Sequence, residues 1–554
     1  MNSDRNNGKA LTRRQFVKGS AVGGAAGLVV GAGSTGLIMK ENAEPWVPDE
    51  WEYETDIAVV GSGFAGSNAA IFGHDSGAEV IMLEKAPEQF AGGNSSVSGG
   101  GLTIPSNVPD AVEYYRALCF GTVPDELCTD LAEAITKVPE QLKSIGIQIA
   151  PVQFFSGTPP ANRPVRQARG LNLLPGAGNT MIHAILREGE TVPRVETGHD
   201  LYLAHKKCIQ ERNIRVLYET RVTQLIQDPE TKAVLGVYAE HEGRRIAVKS
   251  RKAVVLACGG YEANYEMQGY FNYPGVKIYP WGSPYNTGDG IKMATEAGAS
   301  LWHMCSIEWD GPCVKTPSEQ YGVSIQTSIL TVRAITGNYI VVNKYGKRFM
   351  DDSKSLTHTK ESLELTYFDH EHVEYPNLPF YIIFDESFRL RHRLVPKKNM
   401  CWNGVHELVD WSEDNSAEIE KGWILKADNF RELAEKTGID ASELERTVSR
   451  YNGFCKNGED SDFGRRKQLL FPLKTPPFYS AELGLTCTNT QGGPKHNGKA
   501  QTLDKDNKPI PRLYSPGELG SFFGFLYPGG SNIPEAISFG RIAGLNAAAE
   551  KPWA

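Results

Sequence analysis

The chain has 554 residues, 40% apolar and 22% charged, with a formal net charge of -8. That length suits two domains with appendages; the acidic balance and the lack of any lysine or arginine run argue against a nucleic-acid partner. None of the nine cysteines stands in CxxC or CxxCH spacing, so no haem attachment site, zinc knuckle or disulfide framework is expected, and nothing local supports an iron–sulfur cluster.

The first element in chain order is an address. "LTRRQFVK" (residues 11–18) precedes "GSAVGGAAGLVVGAG" (residues 19–33). The twin arginines Arg13 and Arg14, with Phe16, Lys18 and the weakly apolar segment after them, read as a Tat export signal rather than a flexible basic tail or a short membrane anchor. Residues 1–45 are expected to be this signal and its linker, and the location periplasmic or cell-envelope associated. The route carries folded proteins, which suits one that collects its cofactor before export and whose cysteines stay unpaired. No small-x-small cleavage site stands out, and no other stretch reads as a membrane span.

"TDIAVVGSGFAGSNAAIFGHDSGAEVIMLEK" (residues 55–85) predicts strand, tight turn, helix, strand, with residues 57–60 as a short buried strand. Gly61, Gly63 and Gly66 form GxGxxG: one for the turn, one for the approach of a pyrophosphate, one for close helix–sheet packing. The phosphates belong on the helix N-terminus. Glu84 ends the second strand, where a carboxylate can accept bonds from ribose hydroxyls; a merely structural glycine turn has no need of it. "AGGNSSVSGGGLTIP" (residues 91–105) is a second glycine- and serine-rich loop, suited to lie against a large flat cofactor and donate N–H groups to it. Residues 213–240 read as strand, strand, turn, strand, and residues 252–262 as a buried strand ending in glycines.

Taken in order, GSGFAG, LEK, GGNSSVSGGG, ACGG, NTGDGIKMATEAGA, PRLYSPGELG and SFGRIAG resemble the fumarate reductase and 3-ketosteroid dehydrogenase flavoprotein family across nearly all of residues 52–550. The resemblance implies an α/β fold in two parts: a Rossmann-like FAD-binding domain split in sequence (46–301 and 480–554) and an inserted α+β capping domain (302–479). It implies non-covalently bound FAD, contacted by Gly61, Gly63, Ala65, Gly66, Glu84, Lys85, Asn94, Ser95, Gly99, Gly100, Val222, Gly260, Asp289 and Glu518. A small organic substrate would lie where the two parts meet. Residues 425–454 read as the short capped surface helices common in such caps.

Three features of the family's substrate site are changed. Fumarate reductases hold a dicarboxylate with a His-Pro-Thr turn; the corresponding "IEWDGP" (residues 307–312) carries Asp310, which repels a carboxylate. No arginine lies between Leu526 and Pro534, so a dicarboxylate is not expected. "YPGGSNIPEAISFG" (residues 527–540) instead resembles the ketosteroid dehydrogenase segment, in which a tyrosine hydroxyl and a glycine N–H polarise a ring carbonyl. Carried over with a one-residue gap, these are Tyr527 and Gly530; the plain alternative is a packing tyrosine beside a proline turn. In "GKRFMDDSKSLTHTK" (residues 346–360) the family's proton-transferring arginine or tyrosine falls on Leu356. His358, Lys354, Arg333 and Tyr527 are the candidate replacements. His358 and Lys354 also read as exposed loop residues. Arg333, whose acidic partner position holds Leu330, also reads as a structural partner of Asp351 or Asp352.

Export favours reduction, because little NAD(P)H exists outside the cytoplasm and electrons then arrive from a separate membrane-linked donor. In joining a Tat signal to an FAD module, the chain is similar to exported urocanate-type and cardiac-glycoside-type reductases. The expected function is an FAD-dependent oxidoreductase acting on CH–CH bonds, reducing a carbonyl-activated C=C bond in an enone or steroid-like acceptor. Its alternatives are a 3-ketosteroid dehydrogenase running in the desaturating direction and a non-catalytic flavin carrier.

Overall fold

The turn at Gly61 closes a strand, Tyr53–Val60, that begins earlier than residue 57 because Tyr53–Thr55 continue to pair with Val248–Ser250. The computed structural model describes residues 46–152, 171–193, 197–309, 311–315, 319–320, 323–324, 327–328, 337–353, 363–395, 402–408 and 410–553. The export signal with Arg13 and Arg14 lies outside the described residues, as do Asp310, Leu330, Arg333, Lys354, Leu356 and His358.

Strand Tyr53–Val60 lies parallel between Arg244–Leu256 and Val80–Leu83. Arg215–Leu217 and Pro509–Tyr514 extend the parallel sheet on its two sides, and Gln501–Leu503 closes it antiparallel. Ile57 and Val59 enter one core, Ala58 and Val60 another, so the run "IAVV" is apolar throughout, as a parallel strand covered on both faces must be. Thr220–Gln227 and Val234–His241 form the predicted hairpin and pair onto Arg244–Leu256.

The C-terminal helix, Asn532–Ala549, returns to pack on the first helix, Phe64–Asp75. A Cβ at Gly540 or Gly544 would sit 2.3 Å from the carbonyl oxygens of Ala65 and Ala69; glycine lets the two helices touch. The two ends of the chain thus build one Rossmann-like FAD-binding domain, with an α+β capping domain inserted between them.

The capping sheet is organised on one 13-residue strand, Phe478–Thr490. Its first half pairs with Phe380–Asp385 and Leu425–Ala427; its second half pairs with Ile278–Pro280 and Ile307–Trp309. Helices Phe430–Thr437 and Ala441–Asn457 start on the side-chain caps Asn429 and Asp440 and stop at left-handed Gly438 and Gly458. They bury Leu433, Leu444, Val448 and Tyr451 against the sheet and expose their charged faces, as expected of this segment.

The described part of "GKRFMDDSKSLTHTK" is structural. Arg348 Nη2 donates to Asp460 Oδ2 at 2.8 Å, and Arg465 Nη1 to Asp352 Oδ1 at 3.2 Å. Asp352 also accepts the Val341 N–H at 2.8 Å, and all four charged side chains are buried. Two cations and two anions balance, which makes such burial tolerable. Asp460→Asn leaves Arg348 short of a charge partner and is expected to cost about 3 kcal/mol, read as a lower urea midpoint at unchanged slope. Asp462→Asn, which breaks the exposed pair with Arg450, is the control and should cost about 1 kcal/mol or less.

Candidate active site

Gly61 has φ of +102°, and a Cβ there would lie 2.4 Å from the Ala257 carbonyl oxygen; at Gly66 it would lie 2.0 Å from the Gly61 carbonyl oxygen. Both glycines are required by the fold. Gly63 differs: its nearest neighbour is Ser95 Oγ at 3.1 Å, so it keeps a gap that the backbone alone does not need. The helix that starts there gets no cap from its own N-cap residue and has no acid in its first turn; Ser95 Oγ takes the Phe64 N–H, and the other first-turn N–H groups suit an anion. Glu84 is buried at the end of its strand and accepts from Ser62 N at 3.0 Å, Ser62 Oγ at 2.6 Å and Ala86 N at 2.8 Å. A helix start with no acid in its first turn, an open cradle at Gly63 and an oriented carboxylate fit the pyrophosphate and ribose of FAD.

The other expected cofactor residues fall into four groups. Lys85 Nζ contacts Thr287 Oγ1 at 2.6 Å and Asp289 Oδ2 at 2.9 Å; Arg221, beside the buried Val222, reaches Asp289 Oδ1 at 3.0 Å. Burial works to raise the Asp289 carboxyl, but Arg221 and Lys85 prevail and hold it below the usual range. Ala65 sits where the first helix meets Gly517 and Gly540. The loop after residue 91 contains a short helix, Gly93–Val97, rather than being irregular throughout; Ser95 Oγ accepts the Phe64 N–H at 2.9 Å. Gly99 follows half-buried, and Gly100 packs on the Gly198 backbone.

Asn94, Gly260 and Glu518 come together around a residue that sequence reasoning missed, Glu262. Asn94 Nδ2 donates to Glu262 Oε1 at 2.7 Å and to Glu518 Oε1 at 3.1 Å, and Gly260 N donates to Glu518 Oε1 at 3.1 Å. Asn286 and Thr490 complete the shell of Glu262. Burial pushes both carboxyls up, and the charge of Glu262 raises Glu518 further. The available signal was an acid placed two residues after the glycines that end a strand.

Tyr527 is buried, and its hydroxyl oxygen accepts from Ser531 N at 3.1 Å and Asn532 N at 3.3 Å, at the start of the last helix. Burial pushes this hydroxyl up, so it keeps its proton, and the N–H bonds to its oxygen strengthen it as a donor. Gly529 and Gly530 have φ of +71° and +68°. Thr103 ties both down: its N–H donates to the Gly530 carbonyl at 2.8 Å and its hydroxyl to the Gly529 carbonyl at 2.6 Å. The Tyr527–Gly530 segment is thereby fastened to the strand that follows Gly99 and Gly100.

Glu535 is the second residue that sequence reasoning missed. It is fully buried in the first turn of the last helix and accepts from Ser521 Oγ and Phe522 N at 2.8 Å and from Asn532 Nδ2 at 3.0 Å. The strap it holds is also gripped elsewhere: Trp302 Nε1 donates to the Gly520 carbonyl at 3.0 Å, and the Cys119 thiol to the Phe522 carbonyl at 3.3 Å. Burial pushes the Glu535 carboxyl up to about 7. Its signal in the sequence was one acid inside the apolar run "IPEAISFG", three residues after Asn532.

The pattern of a family described as FAD binding domain matches residues 56–533. A probable fumarate reductase of Shewanella frigidimarina is 29% identical, over 89% of this chain and 75% of its own length. A 3-oxosteroid 1-dehydrogenase of Mycolicibacterium smegmatis is 28% identical, over 90% of this chain and 97% of its own length. The crystal structure of a 3-ketosteroid delta1-dehydrogenase from Sterolibacterium denitrificans superposes with a TM-score of 0.71 at 23% identity, covering 90% of this chain and 99% of that one; at that identity the likeness is one of fold.

Proposed function

The chain belongs to the FAD binding domain family, and from that premise we propose that it is an exported reductase of a carbon–carbon double bond conjugated to a carbonyl. It is an FAD-dependent oxidoreductase acting on CH–CH bonds. Reduced FAD, when bound, supplies a hydride. Tyr527 donates to the substrate carbonyl oxygen, and the Gly530 N–H is its partner in that task. Charge drawn onto the carbonyl makes the β-carbon accept a hydride.

The observation that carries this reading is the Tyr527 hydroxyl, held by two N–H donors of a helix N-terminus beside a left-handed Gly529-Gly530 pair that Thr103 fastens. Glu308 bears electrostatically on Tyr527, and an acid at that position disfavours a dicarboxylate. Twin arginines at Arg13 and Arg14 support export, and export supports a separate membrane-linked electron donor. Similarity to a 3-oxosteroid dehydrogenase along 97% of its length keeps one alternative: the same polarised carbonyl acidifies the α-hydrogen, and the enzyme would then desaturate.

The test is anaerobic reoxidation of the chemically reduced, purified protein, followed by flavin absorbance. An enone steroid or an unsaturated lactone is expected to restore the oxidised band rapidly, and fumarate to leave it bleached. Bleaching of the oxidised protein by a saturated ketosteroid, with no acceptor active, would establish the desaturating direction instead.

A further inference from the structure

Among the described residues, Glu535 is a carboxyl with no cation in its hydrogen-bond shell. Among the described residues, the titratable groups on which its charge bears are Tyr115 and Cys119 on the helix Val108–Cys119, Glu518, and Tyr527. Its three hydrogen-bond partners, Ser521, Phe522 and Asn532, are neutral. Ionising such a group places an uncompensated charge in the protein interior, which is costly.

One residue links it to the carbonyl-polarising hydroxyl. The side chain of Asn532 donates to Glu535, and the backbone N–H of the same residue donates to Tyr527. Resting on the reading of Tyr527 as the group that polarises the substrate carbonyl, we propose that Glu535 is a positioning residue whose proton must be in place for turnover. Protonated, it fixes Asn532 and adds no charge near Tyr527. Ionised, it sets a buried carboxylate beside the hydroxyl, raises that hydroxyl further and weakens it as a donor.

The pH dependence has a definite sign. The Glu535 carboxyl titrates near 7 in the folded chain against 4.5 as the ordinary value. Its contribution to stability is therefore complete below about 4.5 and is lost as pH rises through about 7. Turnover follows the protonated fraction, and one ionisation near 7 predicts a fall of about tenfold from about pH 6 to about pH 8.

The experiment compares kcat–pH profiles and melting temperatures of the wild type, Glu535→Gln, Ser521→Ala and Tyr527→Phe holoenzymes with an enone acceptor. Glu535→Gln should lose the descending limb with little change in KM, and should melt above the wild type on the alkaline side. Ser521→Ala removes a donor to the carboxylate and should move the limb to higher pH. A residue that only braces the loop would scale kcat equally at every pH. A wild-type limb kept in Glu535→Gln, while Tyr527→Phe is impaired, would overturn the role of Glu535 alone. Full activity in Tyr527→Phe would instead remove the reading on which that role rests.

Discussion

Tyr527→Phe should lower turnover by about 10²–10³, the usual loss when one oxyanion donor is deleted. The structure adds a complication that the sequence did not show. The Tyr527 oxygen also accepts the N–H groups of Ser531 and Asn532, so phenylalanine leaves donors at the start of a buried helix without their acceptor. That is expected to cost about 1–3 kcal/mol of stability. The two effects separate by measurement: melting temperature and flavin content report the helix, and single-turnover reoxidation of the folded variant reports the chemistry. A variant that melts lower yet turns over at the wild-type rate would make Tyr527 a helix anchor and nothing more.

Gly63→Val should give a folded protein with no flavin. A Cβ at this position meets Ser95 Oγ at 3.1 Å and the Gly92 carbonyl oxygen at 3.4 Å, whereas Gly61 and Gly66 face backbone oxygens at 2.4 and 2.0 Å. Valine at 63 is therefore tolerated by the apoprotein far better than a side chain at either neighbour in the motif, and fills the space that a pyrophosphate needs. The readout is absorbance after gel filtration beside a circular dichroism spectrum. A yellow, folded variant would overturn the placement of the phosphates. Loss of fold would show instead that the gap at Gly63 is narrower than its neighbours suggest.

The contrast among these three glycines also shows what the sequence could disclose. Gly61, Gly63, Gly66 and Glu84 lie within one strand–helix–strand unit, so spacing alone marked that unit, and the need for glycine at 61 and 66 follows from the local backbone. The hairpin of residues 220–241 and the capped helices after residue 429 were legible for the same reason. Glu262 and Glu535 were not. Each acquires its meaning from partners outside its own element: Glu262 from Asn94 and Thr490 far along the chain, Glu535 from Ser521 and Phe522 across a loop. Burial turns an ordinary carboxyl into a group that titrates near neutrality, and no single-sequence pattern reports burial of an acid. Arg348 and Asp352 stood in plain view inside "GKRFMDD", but their partners, Asp460 and Arg465, lie more than a hundred residues away.

Strand Phe478–Thr490 bears on how enzymes of this build can diversify. Its first residues belong to the core under the capping sheet, and its last, Asn489 and Thr490, touch Asn532 and Glu262 beside the residues expected to contact the cofactor. A cap borrowed from a relative would arrive with its own version of this strand. It would have to match at once the pairing with Phe380–Asp385 and the polar contacts at the far end. A one-residue slip would turn every side chain to the opposite face and carry Thr490 away from Glu262. Grafts that recombine caps and flavin modules should therefore place their junctions outside residues 478–490, and new substrate ranges are reached more readily by changing side chains around this strand than by trading the cap as a cassette.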